Sequence, residues 1–136
     1  MRLEITKKAD LALKAVFELD HAAGLVKGAD LAGTIGTTIP FIAQVMKPLV
    51  VKGWVASEPG PTGGYRLDTD TSEISLLDLI EAVEGPTVDG SCVLRGTPCP
   101  VTEYCALHDA WCRARDALLA ELANTKISDV EEGVHS

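Results

Sequence analysis

All cysteines of the chain lie in one short segment, at Cys92, Cys99, Cys105 and Cys112, and His108 lies among them. Thiolates and imidazoles are protein ligands of zinc and of iron–sulfur clusters, and neighbouring cysteines can also form disulfides. The segment therefore predicts a metal site or a disulfide site. The alternative is a group of reduced cysteines that only pack against nearby side chains.

The spacing within this segment favours a cluster. Glycines and prolines between positions 90 and 100 predict an irregular loop that carries Cys92 and Cys99. Cys105 lies near the start of the next predicted helix, and His108, three residues later, shares its helix face. The pattern has no Cys-x2-Cys pair of the kind usual in structural zinc sites, whereas a loop of this composition can surround a polynuclear cluster.

His108 and Cys112 each have two interpretations. A histidine near a helix start is as readily a metal ligand as a side chain that satisfies a local hydrogen bond. Cys112 follows Cys105 by seven residues on the predicted helix, and we interpret it as a small core or interface residue rather than a ligand.

The N-terminal segment, "MRLEITKKAD", is charged and lacks the apolar stretch of a secretory signal. No apolar run approaches the roughly 18 residues of a membrane span. We therefore expect a cytoplasmic protein that does not contact a membrane. Cytoplasmic thiols stay reduced, which favours metal or redox chemistry over structural disulfides.

Charge is distributed unevenly along the chain, whose net charge is −8. Residues 1–66 carry eight Lys and Arg against six Asp and Glu, whereas residues 67–136 carry four against fourteen. Only the first half could approach a polyanion without net repulsion.

The first half predicts three helices, and a tight turn separates the second from the third. A first helix, ending near Gly24, has an apolar face at helical spacing that comprises Ile5, Ala9, Leu13, Val16 and Phe17. A short second helix ends at Gly36, and a third begins after Thr38, with Pro40 in its first turn. A short helix, a turn and a helix predict a helix-turn-helix.

A β-hairpin and two more helices follow. Residues 55–57 and 65–67 alternate around a turn-rich tip, which predicts a wing. "EISLLDLIEAVEG" predicts a helix with a capping box formed by Ser75 and Asp78, ended by Gly85. From Thr102 the sequence predicts a helix of about six turns. Its apolar stripe consists of Leu107, Ala110, Trp111, Ala114, Leu118 and Leu122, and we expect a second copy of the chain to cover it.

The predicted fold is therefore mainly α with a small β-hairpin wing: a winged helix-turn-helix plus a long C-terminal dimerisation helix. We assign residues 1–70 to the DNA-binding domain, 71–90 to a connecting helix and turn, and 91–105 to the cysteine cluster loop. Residues 106–124 form the dimerisation helix, and residues 125–136 form a tail.

Motifs along nearly the whole chain resemble one family. They are "ADLALKAV", "GTTIPFIAQVMKPL", "PTGGYRL", "EISLLDLIEAVEG", the three-cysteine loop, "CALHDAW" and "ISDV". This combination resembles the Rrf family of bacterial winged-helix iron–sulfur transcriptional regulators, which includes IscR, NsrR and RirA. The resemblance implies a homodimer that binds a palindromic operator in double-stranded DNA, with an iron–sulfur cluster controlling DNA affinity.

The resemblance also implies a ligand set. The three family cysteines match Cys92, Cys99 and Cys105. In IscR-like members a histidine soon after the third cysteine completes a 2Fe–2S cluster, which matches His108. In some NsrR-like members an aspartate of helix one from the partner subunit completes a 4Fe–4S cluster, which matches Asp10. We favour 2Fe–2S slightly, and the alternative for Asp10 is an exposed helix-one carboxylate.

Candidate DNA contacts are basic and polar side chains of the first half of the chain. The phosphate-binding candidates are Arg2, Lys7, Lys8, Lys47, Lys52 and Arg66, and the candidates for base contacts are Thr37, Thr38 and Gln44. Gly63 and Gly64 either form a plain hairpin turn or allow the wing backbone to approach the minor groove.

Two features depart from the family pattern. Pro48 lies inside the expected recognition helix, where it removes a backbone donor and should kink or end the helix. Glu58 and Pro59 occupy wing positions where basic residues would assist DNA binding.

The sequence thus predicts a regulator that senses iron–sulfur, redox or nitric oxide status through the cluster. The alternative is a winged-helix regulator that senses through thiol, disulfide or zinc chemistry. We expect no enzyme, because Cys-x-x-Cys, Ser/His/Asp and phosphate-loop patterns are absent from the sequence. A protein-interaction module built on the long helix is a further alternative.

Overall fold

The computed structural model describes residues 4–86 and 107–130, which form helices α1 to α5 and one hairpin. The elements are α1 (Lys7–Ala22), α2 (Gly28–Ile35), α3 (Ile39–Val51), β1 (Val55–Glu58), β2 (Gly64–Leu67), α4 (Leu76–Glu84) and α5 (His108–Asn124). A single 3-10 turn, Thr71–Glu73, precedes α4 in this part of the chain. The prediction of a mainly α fold with a β-hairpin wing is confirmed.

Helix α1 begins where the Thr6 side chain accepts a hydrogen bond from the Ala9 backbone N–H (3.1 Å). It ends at Ala23, whose φ of 51° is left-handed. Its buried residues are Ala9, Leu11, Ala12, Ala15, Val16 and Leu19. The predicted face was therefore partly wrong, because Ile5 is exposed and precedes the helix. The small alanines allow the other helices to approach α1 closely.

Helices α2 and α3 are bent by 100° at the turn between them, which is the geometry of a helix-turn-helix. Gly36 ends α2 with a left-handed φ of 80°. Thr38 caps α3 by accepting a hydrogen bond from the Phe41 backbone N–H (3.3 Å), and Pro40 lies in the first turn. The buried side chains of the two helices join one core with α1, and include Leu31, Ile42, Val45, Met46 and Leu49.

Pro48 was expected to kink or end the recognition helix, and it does not end it. Helix α3 continues to Val51, and the Lys52 backbone N–H donates to the Pro48 carbonyl (3.1 Å). The missing N–H leaves the Gln44 carbonyl without its helical donor. Gln44 lies on the exposed side of α3, where water can replace that donor, and only the last turn follows the proline.

The hairpin pairs Val55 with Leu67 and Glu58 with Gly64 in antiparallel register. Val26, in the segment between α1 and α2, also pairs with β2. Its N–H donates to the Tyr65 carbonyl (2.8 Å), and its carbonyl accepts from the Tyr65 N–H (2.8 Å). The wing is therefore attached to the segment that leads into the helix-turn-helix.

The segment between the wing and α4 is fixed by local caps. Asp70 accepts a hydrogen bond from the Ser72 backbone N–H (2.9 Å), and this bond, with a further one from the Ser72 side chain, lowers the pKa of the Asp70 carboxyl. The predicted capping box of α4 is confirmed. Ser75 Oγ accepts from the Asp78 N–H (3.0 Å), and Asp78 Oδ2 accepts from the Ser75 N–H (3.2 Å).

The residues after α5 pair with the residues before α4. The Leu76 N–H donates to the Thr125 carbonyl (2.9 Å), and the Ile127 N–H donates to the Ile74 carbonyl (2.9 Å). Ile127 is fully buried in the core. The end of α5 is thereby held at the start of α4, an arrangement that the sequence analysis did not assign.

Within the described ranges, no single helix is long and apolar enough to cross a membrane. Helices α2 and α3 pass that test together by length and composition, but they are the bent pair of the helix-turn-helix.

Candidate DNA-binding surface and metal-ligand residues

Helix α3 has one exposed stripe opposite its buried side. The stripe consists of Pro40, Ala43, Gln44, Lys47 and Val51, at spacings of three and four residues. Val51, at 77% exposure, lies at its C-terminal end. A stripe on the second helix of a helix-turn-helix is the surface that enters a major groove, and Gln44 and Lys47 are its polar members.

The two candidate threonines differ in exposure. Thr38 is exposed at the start of α3, where its oxygen accepts the cap bond and its hydroxyl hydrogen can still donate. Thr37 is half-buried, and its backbone N–H donates to the Ala32 carbonyl (2.8 Å). Thr38 is therefore the better placed of the two for contact with DNA.

The basic candidates are distributed over several elements. Lys7 and Lys8 lie in the first turn of α1, exposed and half-buried respectively, while Lys52 is exposed at the end of α3. Arg2 lies outside the described residues. Sequence analysis missed Lys27, which is exposed at the N-terminal end of α2 beside the wing. The sequence feature that could have identified Lys27 is its position directly before the first helix of the helix-turn-helix.

Arg66 on the wing already has an anionic partner. Its Nη1 lies 3.4 Å from Glu58 Oε1, across the two strands, and both side chains are about half exposed. A DNA phosphate that binds Arg66 must therefore compete with the Glu58 carboxylate.

Gly63 and Gly64 are required by the protein's own backbone. A Cβ on Gly63 would lie 1.9 Å from the Glu58 carbonyl oxygen, and one on Gly64 would lie 2.3 Å from the Val26 carbonyl oxygen. Gly63 is also buried. These glycines close the hairpin tip and bring β2 against Val26. Their presence is therefore explained by the hairpin turn and is not evidence for a contact with the minor groove.

The candidate metal ligands are only partly within the described residues. Cys92, Cys99 and Cys105 lie outside them. Asp10 lies in the first turn of α1 and forms an ion pair with Lys14, at 3.1 Å between Oδ2 and Nζ. Across residues 4–86 and 107–130, no group of three or more His, Cys, Asp and Glu side chains is positioned to hold a metal ion.

His108, Cys112 and Arg115 form a cluster on one face of α5. His108 is the first residue of the helix, and its Nε2 lies 3.7 Å from Cys112 Sγ. Arg115 Nη2 donates to the same sulfur at 3.7 Å. All three side chains are half-buried, and Cys112 is not among the core residues of the described part of the chain. The thiol that we interpreted as a packing residue therefore has two polar neighbours.

The structure thus has a helix-turn-helix, an attached wing and a following long helix. The sequence of the chain matches a known family profile. The profile, described as "Rrf2: Iron-dependent Transcriptional regulator", matches residues 5–133. The chain belongs to the Rrf2 family. Its Rrf2 relatives include the HTH-type transcriptional regulator IscR of Escherichia coli, which is 29% identical over 130 residues, covering 94% of this chain and 80% of IscR.

Solved Rrf2-like structures share the fold. CymR, the global cysteine regulator of B. subtilis, has a TM-score of 0.77 and 29% identity, with 96% of this chain and 98% of CymR covered. T. potens IscR has a TM-score of 0.73 and 21% identity, with 97% and 88% covered, and supports the fold alone. The relatives are transcriptional regulators, so this Rrf2 chain is a transcriptional regulator by family.

Proposed function

We propose that this Rrf2 protein binds an operator in double-stranded DNA and that an iron–sulfur cluster controls its affinity for that operator. The exposed stripe of α3 carries the DNA-binding part of the proposal. It presents Gln44 and Lys47 on a helix bent by 100° from α2, and Arg66 is exposed on strand β2 of the wing. Lys27, Lys7 and Lys8 add positive charge around the helix-turn-helix.

The donor atoms of the chain suit an iron–sulfur cluster. Cys92, Cys99 and Cys105 supply thiolates, and His108, at the start of α5, supplies an imidazole next to that segment in the chain. Imidazole ligation is known for 2Fe–2S centres, so we propose this cluster type over 4Fe–4S. When bound, the cluster supplies an iron centre that responds to oxidants, nitric oxide or iron supply.

Asp10 is a weaker candidate than His108 for the fourth ligand. Its carboxylate is paired with Lys14 one helical turn away, and this pair would have to separate before the carboxylate could bind iron. His108 also has a partner, the Cys112 sulfur at 3.7 Å from its Nε2, but it lies next to the cysteine segment in the chain and offers an imidazole, a ligand type known in 2Fe–2S centres.

A route exists from the cysteine segment to the DNA-binding surface. Helix α4 precedes that segment and packs against α1, α3 and α5. Glu84, the last residue of α4, accepts a hydrogen bond from the Thr6 backbone N–H at the start of α1 (3.2 Å). A shift of α4 therefore alters its contacts with the recognition helix and with α1 together, and a ligand that favours one arrangement shifts the population toward it.

We propose a homodimer on a palindromic operator, formed through α5. Helix α5 has no fully buried residue within its described span, and Leu107 and Leu118 are 50% and 45% exposed. An apolar stripe of this length needs cover, and a two-fold related copy would supply it. Leu118→Glu should lower the mass measured by sedimentation by half, whereas Arg113→Glu, an exposed residue of the same helix, should not.

The decisive experiment measures DNA binding and cofactor content in one anaerobic preparation. We expect a coloured protein with stoichiometric iron and sulfide that shifts a duplex from its own upstream region. Removing the cluster with a chelator should change that affinity at least tenfold. Colourless protein after anaerobic reconstitution would overturn the cluster, and no shift in either form would overturn the DNA-binding function.

A second candidate is a winged-helix regulator that senses through thiols or zinc without a cluster. The likeness to CymR, a cysteine regulator, favours it, as does the position of Cys112 between His108 and Arg115. In that case the protein would contain no iron or sulfide, and a mild oxidant alone would change its DNA affinity.

A further inference from the structure

The pair formed by His108 and Cys112 has the spacing of two ligands on one metal atom. In tetrahedral zinc sites the metal–sulfur distance is about 2.3 Å and the metal–nitrogen distance about 2.0–2.1 Å, so a tetrahedral angle separates the two ligand atoms by about 3.6 Å. Nε2 of His108 lies 3.7 Å from Sγ of Cys112. The helix itself sets this spacing, because residues four apart lie one above the other on one face.

Arg115 supplies an independent observation. Its Nη2 donates to Cys112 Sγ, while its Nε and Nη1 are buried and have no hydrogen-bond partner among residues 4–86 and 107–130. Buried guanidinium donors need acceptors. A water or hydroxide bound to a metal at this pair would supply such an acceptor next to the sulfur that Arg115 already contacts.

We propose that His108 and Cys112 bind a soft or borderline divalent cation, such as Zn²⁺, Co²⁺ or Fe²⁺, when the protein lacks its cluster. Binding releases the thiol proton of Cys112 to solvent, and a bound water that ionises to hydroxide releases a second proton; no electrons are moved. Water or other side chains occupy the remaining coordination positions. This site depends on Cys112, which the proposed cluster does not use.

A regulatory consequence rests on the proposed function. His108 belongs both to this pair and to the proposed cluster ligands, so the cation and the cluster compete for one imidazole. Zn²⁺ bound at the pair therefore opposes cluster assembly, and Cys112 sets the strength of that opposition.

The cation site can be tested without any cluster. In the full chain with Cys92, Cys99 and Cys105 all changed to Ser, Cys112 is the remaining cysteine. We expect anaerobic Co²⁺ titration of this variant to produce near-ultraviolet thiolate-to-cobalt absorption with one cobalt per chain. Adding Cys112→Ser should abolish this absorption, and adding His108→Ala should weaken cobalt binding at least tenfold.

The matched control in the same background is His21→Ala, at the end of α1, which should leave the titration unchanged. Circular dichroism of each variant verifies that it is folded. Absence of the absorption in the folded triple variant, or its persistence at full affinity after His108→Ala, would refute the ligand pair. Neither outcome bears on whether the wild-type chain assembles a cluster.

Competition is measured during reconstitution of otherwise wild-type protein. One equivalent of Zn²⁺ added before iron and sulfide should slow the growth of cluster absorbance at least threefold. The same addition should slow cluster growth less in Cys112→Ser, in which only Cys92, Cys99 and Cys105 remain as thiol ligands for zinc. Equal slowing in both proteins would refute the competition, while failure of both to assemble any cluster without zinc would instead count against the proposed function.

Discussion

The ion pair between Arg66 and Glu58 determines how the wing can use its positive charge. Both side chains are about half exposed, so the pair contributes little to folding stability. The pair has a larger effect on DNA binding than on folding stability, because the Glu58 carboxylate opposes the approach of a phosphate to the Arg66 guanidinium. The wing therefore has a basic residue whose contact with DNA is weakened by its own neighbour.

Replacing Glu58 by Gln should strengthen DNA binding. We expect affinity to rise about two- to fivefold and the dependence on salt to steepen by up to about one unit, since Arg66 then becomes available to a phosphate. Fluorescence anisotropy across a salt series measures both quantities. Glu121→Gln makes the same charge change on α5, and an equal gain from that control would attribute the effect to net charge alone.

Substitutions of the two polar residues of the α3 stripe should weaken DNA binding in different ways. Lys47→Gln should weaken binding to all sequences about equally and reduce the salt slope by about one. Gln44→Ala should lose about 1–3 kcal/mol of preference for the operator over random DNA. Competition binding with the two duplexes separates these patterns, with Arg113→Gln on α5 as the charge control. Loss of operator preference from Lys47→Gln alone would reverse the assigned roles.

At the scale of elements, the wing depends on the absence of a side chain at its tip. The Glu58 carbonyl oxygen occupies the position where a Cβ on Gly63 would lie. Because that obstacle is backbone, rotation of a side chain cannot remove it. The hairpin, and with it the placement of Arg66, requires glycine there.

Gly63→Ala should destabilise the protein by about 1–3 kcal/mol and weaken DNA binding as the wing distorts. Urea unfolding followed by circular dichroism measures the stability. Gly33→Ala is the matched control, since Gly33 lies in α2 with open space around the added Cβ. This control should stabilise the chain by about 0.5–1 kcal/mol. Similar stability changes of the same sign in both variants would contradict the claim that the Glu58 carbonyl excludes a side chain at position 63.

Elements governed by local rules were predictable from the sequence. Thr38, Gly36 and the Ser75–Asp78 capping box act over a few residues, and each has the predicted role in the structure. The buried face of α1 and the tolerance of Pro48 were not predictable in this way. Both depend on which side of a helix the rest of the core covers, and helical spacing alone does not determine that.

At the scale of the whole molecule, the segment after α5 contributes to the core. Ile127 is fully buried in the same cluster as Ile74 and Leu79, although it is separated from them by about fifty residues of chain. No local pattern reports such a pairing, which is why the sequence analysis gave residues 125–136 only the description of a tail. The Lys126 N–H adds a local bond to Asp129 Oδ2 (3.0 Å).

Ile127→Ala should lower the free energy of unfolding by about 2–5 kcal/mol, the cost of a cavity in a packed core. Thermal and urea unfolding measure this change. Val51→Ala, at a 77% exposed position, should change stability by less than about 0.5 kcal/mol. A loss from Ile127→Ala as small as that of the control would mean that the C-terminal segment does not dock in solution.

The candidate site was less predictable than the fold. Sequence spacing grouped His108 with Cys105, but the contact between His108 and Cys112 emerged only once both lay on a defined helix. The position of Lys27 likewise depends on how the wing pairs with Val26, and the Arg66–Glu58 pair depends on the register of the hairpin. The residue types indicated which chemistry the site could perform. The contact partners of each side chain, in contrast, depend on how the helices and the wing pack.

The attachment of residues 125–127 to residues 74–76 has a consequence for the lifetime of the protein in a cell. In the sequence, the cysteine-containing stretch lies between α4 and α5, and the residues after α5 are hydrogen-bonded back to the start of α4. If the proposed cluster were lost, these hydrogen bonds would still hold the residues after α5 to the start of α4. Proteases act mainly on chains that open, so the emptied regulator should persist and be refilled rather than degraded and synthesised anew.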